Sequence, residues 1–383
     1  MTAIAITREV FRWARERAGL SDKRLAKSAS TTPDKIRAWE NGLEFPNFHQ
    51  AQKLAATLHV PLGYLFLSRP PEITLPVTDF RTLPGIVKAI PSPDLQDVLD
   101  DALRKRDWYE EWRIKEGYAP ISFIGKFPLS SNPTQIVMDM RKELGMSEDF
   151  AATLQSWDEH LRAFVHKAES TGILILQSGI VGNNTTRKLN LEEFRGFALA
   201  NRYAPLVFIN ARDTISARIF TLAHELIHLW TGTSGISNPN ITPNEQEGLQ
   251  IERLCNQTAA EFLVPKQVLL TKWYKNKDTI ENVQYLARIF RVSAQVVLRK
   301  SHDSGVIPTN EYFRAYNEVI HMNKPSRSGS GGNFYNTLIS RNSRRFTLEL
   351  ISAVQGGHLS YLEGAHLLNT HPKQLANVMK LVG

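Results

Sequence analysis

Along most of the chain apolar residues return every three or four positions, and strict alternation is rare. The pattern therefore predicts a mainly α protein with a small β-sheet, an α+β fold. Residues 7–67 divide into five short helices. Thr7–Ala18 ends at Gly19, Ser21 caps a second helix running to about Ala29, and Thr32-Pro33 opens a third through Trp39. Asn41-Gly42 stops the third, and Asn47–Leu58 and Pro61–Phe66 complete the set. Two helices joined by a three-residue turn predict a helix-turn-helix, whose later helix can enter the major groove of DNA.

Pro70-Pro71 and four further prolines within 73–93 mark a linker. Beyond it, Ser92–Lys115 reads as a charged amphipathic helix with Trp108 and Trp112 on one face, suited to packing. Helices over Asn132–Leu144 and Trp157–Ser170 precede strands at Gly172–Gln177 and Pro205–Asn210, with room for one more strand between them, and this small sheet can pack on the helix that follows. The second strand is either an edge on which an extended peptide could lie or a plain core strand. A helix with Ile219, Phe220, Leu222, Ala223, Leu226, Ile227 and Trp230 is apolar nearly all round and so predicted buried, with Asp213 as its N-cap and Gly232 as its stop. A further helix spans Asn244–Pro265, and hairpins follow at Glu281–Phe290 and Tyr361–Leu368. Between those hairpins Lys324–Gly332 is a Ser/Gly linker, after which Phe334, Tyr335, Phe346, Leu350, Leu362 and Leu367 offer a minimal core. The expected division is a helix-turn-helix domain at 1–70, a linker at 71–93, a compact domain at 94–303, a connecting segment at 304–332 and a small helical domain at 333–383.

Composition narrows the setting. No run approaches a membrane span or a signal peptide, so no membrane partner is expected. Cys255 is the only cysteine, which excludes internal disulfides and suits a reducing cytoplasm. Net charge is +8, and residues 1–70 hold eleven Lys/Arg against six Asp/Glu. That basic excess points to a polyanion as the partner of the N-terminal segment.

The buried helix carries the chemistry. It reads Phe220-Thr-Leu-Ala-His-Glu-Leu-Ile-His-Leu-Trp230, placing His224 and His228 one helical turn apart on one face with Glu225 beside them. Burying two imidazoles and a carboxylate is costly without partners, and a metal ion supplies one. A catalytic zinc needs a third protein ligand and one open position. In the following helix, Glu245 and Glu247 fall in the first turn, and Glu261 shares a polar stripe with Gln250, Arg253 and Gln257. Glu252 instead shares a stripe with Cys255, Asn256, Ala259 and Leu263, and it is the candidate third ligand. Asn256, one turn on, suits either orienting a ligand histidine or a simple inter-helix hydrogen bond. Tyr203 is a nearby candidate for a second oxyanion donor, although a surface position fits it equally.

From Arg218-Ile-Phe-Thr-Leu-Ala-His-Glu-Leu-Ile-His228 to Glu252-Arg-Leu-Cys-Asn-Gln-Thr-Ala-Ala-Glu-Phe-Leu-Val-Pro265, the chain resembles the ImmA/IrrE metallo-endopeptidases over roughly residues 155–300. The lead-in Phe194–Ala200 and Pro205–Asn210 is similar too, and the resemblance implies a helix and then a strand there. It departs at Ile227, Cys255 and Thr258, none of which is a ligand of the family's zincin-like site. The resemblance implies Zn2+ held by His224, His228 and Glu252, with Glu225 as general base. Ala18-Gly19-Leu20-Ser21, Leu25-Ala26 and Ile36-Arg-Ala-Trp-Glu-Asn-Gly42 resemble the Xre/Cro-type helix-turn-helix family. Carried over by position, Thr31, Thr32, Lys35 and Arg37 would face DNA, Asp34 opposes phosphate there, and Leu25, Ile36 and Trp39 are core. A helix-turn-helix kept only for protein contact or dimerisation is the other reading.

Together these resemblances imply a zinc endopeptidase fused to a DNA-binding module, cleaving a repressor or antitoxin and so controlling mobile-element, stress or toxin–antitoxin genes. The competing expectation is a non-proteolytic antitoxin and repressor of its own promoter that neutralises a partner toxin, a PIN-type ribonuclease being one suspected partner. A homodimer is an admissible assembly under either.

Overall fold

The computed structural model describes residues 3–73, 75–79, 90–237, 250–322 and 334–382. It separates into two compact units, one of residues 1–76 with 87–100 and the other of residues 77–86 with 101–383.

The first unit holds α1 (Arg8–Arg17), α2 (Asp22–Ser28), α3 (Pro33–Glu40), α4 (Phe48–Leu58) and a 3-10 turn at Leu62–Phe66. The caps expected at Ser21 and Thr32 are in place, and Asn47 proves to be a third. Ser21 accepts from the Arg24 N–H, Thr32 from the Lys35 N–H with Pro33 at the first helical position, and Asn47 closes a capping box with Gln50. Phe11, Leu25, Ile36, Trp39, Leu54 and Leu65 fill the core. Arg15 pairs with the buried Glu40 carboxylate.

The second unit contains β1 (Thr78–Asp79), the later part of α5 (Pro93–Lys115), α6 (Pro133–Leu144), α7 (Trp157–Ser170), β2 (Leu174–Ser178), β3 (Ile180–Val181) and β4 (Asn184–Lys188). Next come β5 (Gly196–Leu199), β6 (Leu206–Asn210), α8 (Ile215–Trp230), β7 (Gly235–Ser237), α9 (Gln250–Leu263) and α10 (Lys266–Lys272). The series ends with α11 (Thr279–Phe290), α12 (Ala294–Asp303), α13 (Thr309–Met322), α14 (Phe334–Asn342), α15 (Arg344–Gln355), α16 (Tyr361–Leu367) and α17 (Pro372–Val382). The fold is thus mainly helical with a small mixed sheet.

That sheet has the order β1-β7-β5-β6-β2. β5 is antiparallel to both β6 and β7, whereas β2 lies parallel to β6 and β1 parallel to β7. β6 is therefore a central strand, buried at all five positions, and not an edge for a substrate. The stretch Phe194–Ala200, expected to be helical, contains strand β5 instead. Four consecutive buried residues suit a strand covered on both faces, and Gly196 allows a close approach by α8. β1, from the segment joining the two units, forms the edge beside β7.

α8 lies against the sheet, with α7 and α9 beside it, and the large core runs through these elements. Its N-cap is Thr214, accepting from the Ala217 N–H, and not Asp213, which pairs with Arg195. Gly232, at φ +70, ends it. α9 is described from Gln250, so residues 244–249 of the expected helix, including Glu245 and Glu247, lie outside the described residues. The same holds for the Lys324–Gly332 linker. In the tail Phe346, Leu350 and Leu367 are buried as expected. Phe334 and Leu362 are exposed, and Leu338, Ile351 and Val378 form the local cluster instead. Trp108 stacks on Trp112 and meets Phe346 edge-on, so this pair packs onto the tail.

Candidate metal centre

α8 and α9 bring three side chains to one buried point. His224 and His228 present their Nε2 atoms 3.2 Å apart. The Glu252 carboxylate lies 3.3 Å from the first and 3.1 Å from the second. Tetrahedral ligation at 2.0–2.2 Å from a zinc ion requires donor separations of about 3.3–3.6 Å, so all three edges lie within about 0.2 Å of the lower end of that range. Both histidines are fully buried.

The outer ring nitrogens are held elsewhere. His224 Nδ1 bonds the Asn256 side-chain oxygen at 3.0 Å, and His228 Nδ1 bonds Thr233 Oγ1 at 2.9 Å. An amide oxygen only accepts, so His224 carries its proton on Nδ1 and turns a bare Nε2 lone pair inward. Lone pairs converging on a carboxylate repel one another unless a cation lies between them, and this donor set fits a divalent metal. Burial lowers the His228 pKa, keeping the ring neutral as ligation requires. Burial alone would raise the Glu252 pKa, but positive charge at this point, on the rings or on a cation between them, outweighs it and holds the carboxyl below its usual range.

The Cys255 thiol also lies within 4.8 Å of donor atoms of both histidines. Burial pushes its pKa well up, and the charges of Glu252 and Glu225 push the same way, so it stays a neutral thiol. The ionised Glu252, 3.1–3.3 Å from both rings, is the better third donor.

Glu225 is fully buried, and neither carboxylate oxygen has a hydrogen-bond partner among the described residues. Burial raises its pKa strongly and the Glu252 charge adds to that; Ser237 stands close enough to oppose the shift without an aligned hydrogen bond. A buried carboxyl left without partners is poised to exchange a proton. Gly196 of β5 makes room for it, because a Cβ there would stand 2.9 Å from Glu225 Oε1.

Three contributors to this centre went unread in the sequence. Thr233 and Ser237, whose Oγ is 3.3 Å from His228 Nε2, follow the end of α8 and carry no spacing signal. Gly196 did leave one, as a lone glycine inside an apolar run. Tyr203 sits half-buried in the β5–β6 connection, and none of its described contacts links it to the centre. In the first unit, Thr31 is half-buried and Lys35 is exposed. The Thr32 hydroxyl is spent capping α3, and exposed Arg37 pairs with Asp34, 3.8 Å from Asp22 at its other nitrogen. Leu25, Ile36 and Trp39 are core.

A buried His-Glu-x-x-His helix facing a second helix, with a helix-turn-helix ahead of both, defines a metallopeptidase-type domain joined to a DNA-binding type of module. Comparison with protein families agrees. Residues 168–302 match the IrrE N-terminal-like domain of the M78 metallopeptidases, and residues 11–65 match the helix-turn-helix family. The chain therefore carries an IrrE-like peptidase domain behind an N-terminal helix-turn-helix. Among the curated proteins no match is found. No helix of the described residues is long and apolar enough to cross a membrane.

Proposed function

We propose that the protein is a cytoplasmic zinc endopeptidase whose helix-turn-helix binds DNA and whose substrate is a regulatory protein, a repressor or an antitoxin. The observation that carries this reading is the convergence of His224, His228 and Glu252 to within 3.1–3.3 Å, with unpartnered Glu225 alongside. Bound there, zinc would activate a water molecule and polarise a peptide carbonyl. Glu225 takes a proton from the attacking water and returns it to the departing amine. Asn256 and Thr233 fix the two rings so that both Nε2 lone pairs point inward.

On the DNA side, Lys35 and Arg37 of α3 meet phosphate or guanine, with Thr31 beside them. Asp34 restrains Arg37, and Thr32 serves the helix cap first.

A second reading, a non-proteolytic antitoxin and repressor that neutralises a toxin, draws on the depth of the centre. His224, Glu225 and His228 have no exposed surface, and Glu252, 14% exposed, is the one member of the group that solvent touches. Co-expression with the protein encoded beside this chain separates the two. Under the peptidase reading wild type cleaves the neighbour, while Glu225→Gln keeps its zinc and leaves it intact. A neighbour that stays whole in both cases, yet co-purifies, supports neutralisation. Cleavage by Glu225→Gln would sink the proposed chemistry.

A further inference from the structure

Away from the metal centre, the second unit holds a cleft of about 680 Å3 that neither the peptidase reading nor the helix-turn-helix uses. One wall is a face of α7, where Asp158, Leu161, Arg162, Val165 and His166 follow one another at helical spacing. The opposite wall is α14, contributing Asn336, Ile339 and Ser340 at the same spacing. Ile175 and Gln177 of β2 form the floor with Arg218 from α8, and Arg344 closes one end.

The charge of this cleft is incompletely matched. Three guanidiniums line it against two carboxylates, Asp158 and Glu169. Glu169 is already committed, because its carboxylate accepts from Ser343 Oγ at 2.5 Å and the Arg344 N–H at 2.9 Å. Arg218 lies mostly buried, and its described hydrogen bond is to the neutral Gln177 amide oxygen at 2.5 Å. Its Nε is buried without a hydrogen-bond partner, and Asp158 and Asp213 act on the guanidinium only through longer-range charge. A guanidinium desolvated this far gains from an anion that can accept its fork of donors. Arg162 and Arg344, both exposed, stand at the rim. Leu161, Val165, Ile175 and Ile339 offer apolar surface for the rest of a ligand.

We propose that this cleft binds a small amphipathic anion, a phosphate or carboxylate on an apolar or planar body of nucleotide size, with Arg218 as the buried anchor. The site is independent of the proposed peptidase activity.

Isothermal titration of the full chain tests it with three probes: adenosine monophosphate, octanoate and inorganic pyrophosphate. Saturable binding of the nucleotide identifies a phosphate ligand and that of octanoate a carboxylate, and either supports the site. Arg218→Gln is expected to weaken the bound probe at least tenfold. Arg162→Ala, at an exposed position that leaves folding untouched, is expected to weaken it several-fold. The proposal is overturned if neither organic probe saturates at millimolar concentration, or if Arg162→Ala binds as wild type does. Pyrophosphate binding as tightly as both organic probes would also overturn it, since a simple basic patch would then explain the affinity.

Discussion

Gly196→Ala is the substitution through which the packing of the centre is most directly tested. A Cβ at this position of β5 would stand 2.7 Å from Thr221 Cγ2, 2.9 Å from Glu225 Oε1 and 3.0 Å from the Phe208 carbonyl oxygen. Two of these atoms end side chains of α8 that are themselves buried, and the third is backbone of the paired strand β6, so there is little free space into which any of them can move. Each contact falls well short of an ordinary carbon separation of about 3.5–4.0 Å, and relief requires α8 or Glu225 to move by roughly 0.5–1 Å. Overpacking of this kind costs about 1–3 kcal/mol. In a unit of this size that lowers Tm by about 2–4 °C per kcal/mol. A displacement near 1 Å at a catalytic carboxylate can cost on the order of 100-fold in rate. Thermal unfolding, zinc content and cleavage of the co-expressed partner are the readouts. The expected result is a lower Tm, zinc retained because none of the three donors is touched, and cleavage strongly reduced. Gly63→Ala is the control, since a Cβ there meets nothing within 4 Å and should shift stability by less than about 0.5 kcal/mol. If Gly196→Ala matches wild type in both Tm and cleavage, the close approach of β5 to Glu225 is not what shapes the site.

Three further outcomes are expected. Asn256→Ala leaves His224 Nδ1 without its acceptor and should weaken zinc about 10–100-fold in chelator competition; an unchanged affinity would remove Asn256 from the centre. His160 is buried beside Phe150 and Phe164, and burial lowers its pKa from 6.5 to about 4. Its neutral ring contributes fully above pH 6.5, and that contribution, about 3 kcal/mol, is lost as pH falls from 6.5 towards 4. His160→Gln should flatten this part of a urea-unfolding pH profile, and an unaltered slope would refute the assignment. Lys35→Ala should weaken promoter binding and reduce the log–log salt slope by about one, whereas an unchanged slope would take Lys35 off the phosphate backbone.

The helix-turn-helix was legible almost residue by residue because its boundaries are written in capping chemistry. Ser21, Thr32 and Asn47 each bond the backbone N–H three residues on. α8 was equally legible from its apolar circumference, and the inward stripe of α9 singled out Glu252. Other features depend on what lies across space. Phe194–Ala200 is too short for periodicity to separate strand from helix, and only the packing of α8 over Gly196 decides it. Whether β6 is central or an edge depends on β2 and β5, which both precede it in the chain and flank it on either side in the sheet. Asp213 and Thr214 are both good caps, and Arg195, eighteen residues earlier, draws Asp213 away. Thr233 and Ser237 reach His228 only because Gly232 reverses the chain.

The packing of α14 against β2 bears on any attempt to isolate the peptidase module. β2 is the outer strand of the sheet on that side, and its sequence Leu-Ile-Leu-Gln-Ser is largely apolar. A fragment trimmed to the family boundary at residue 302 would strip this cover and leave a sticky backbone ladder open to neighbouring molecules. Such a truncate is expected to precipitate or self-associate, and the last fifty residues then serve as a built-in solubility shield.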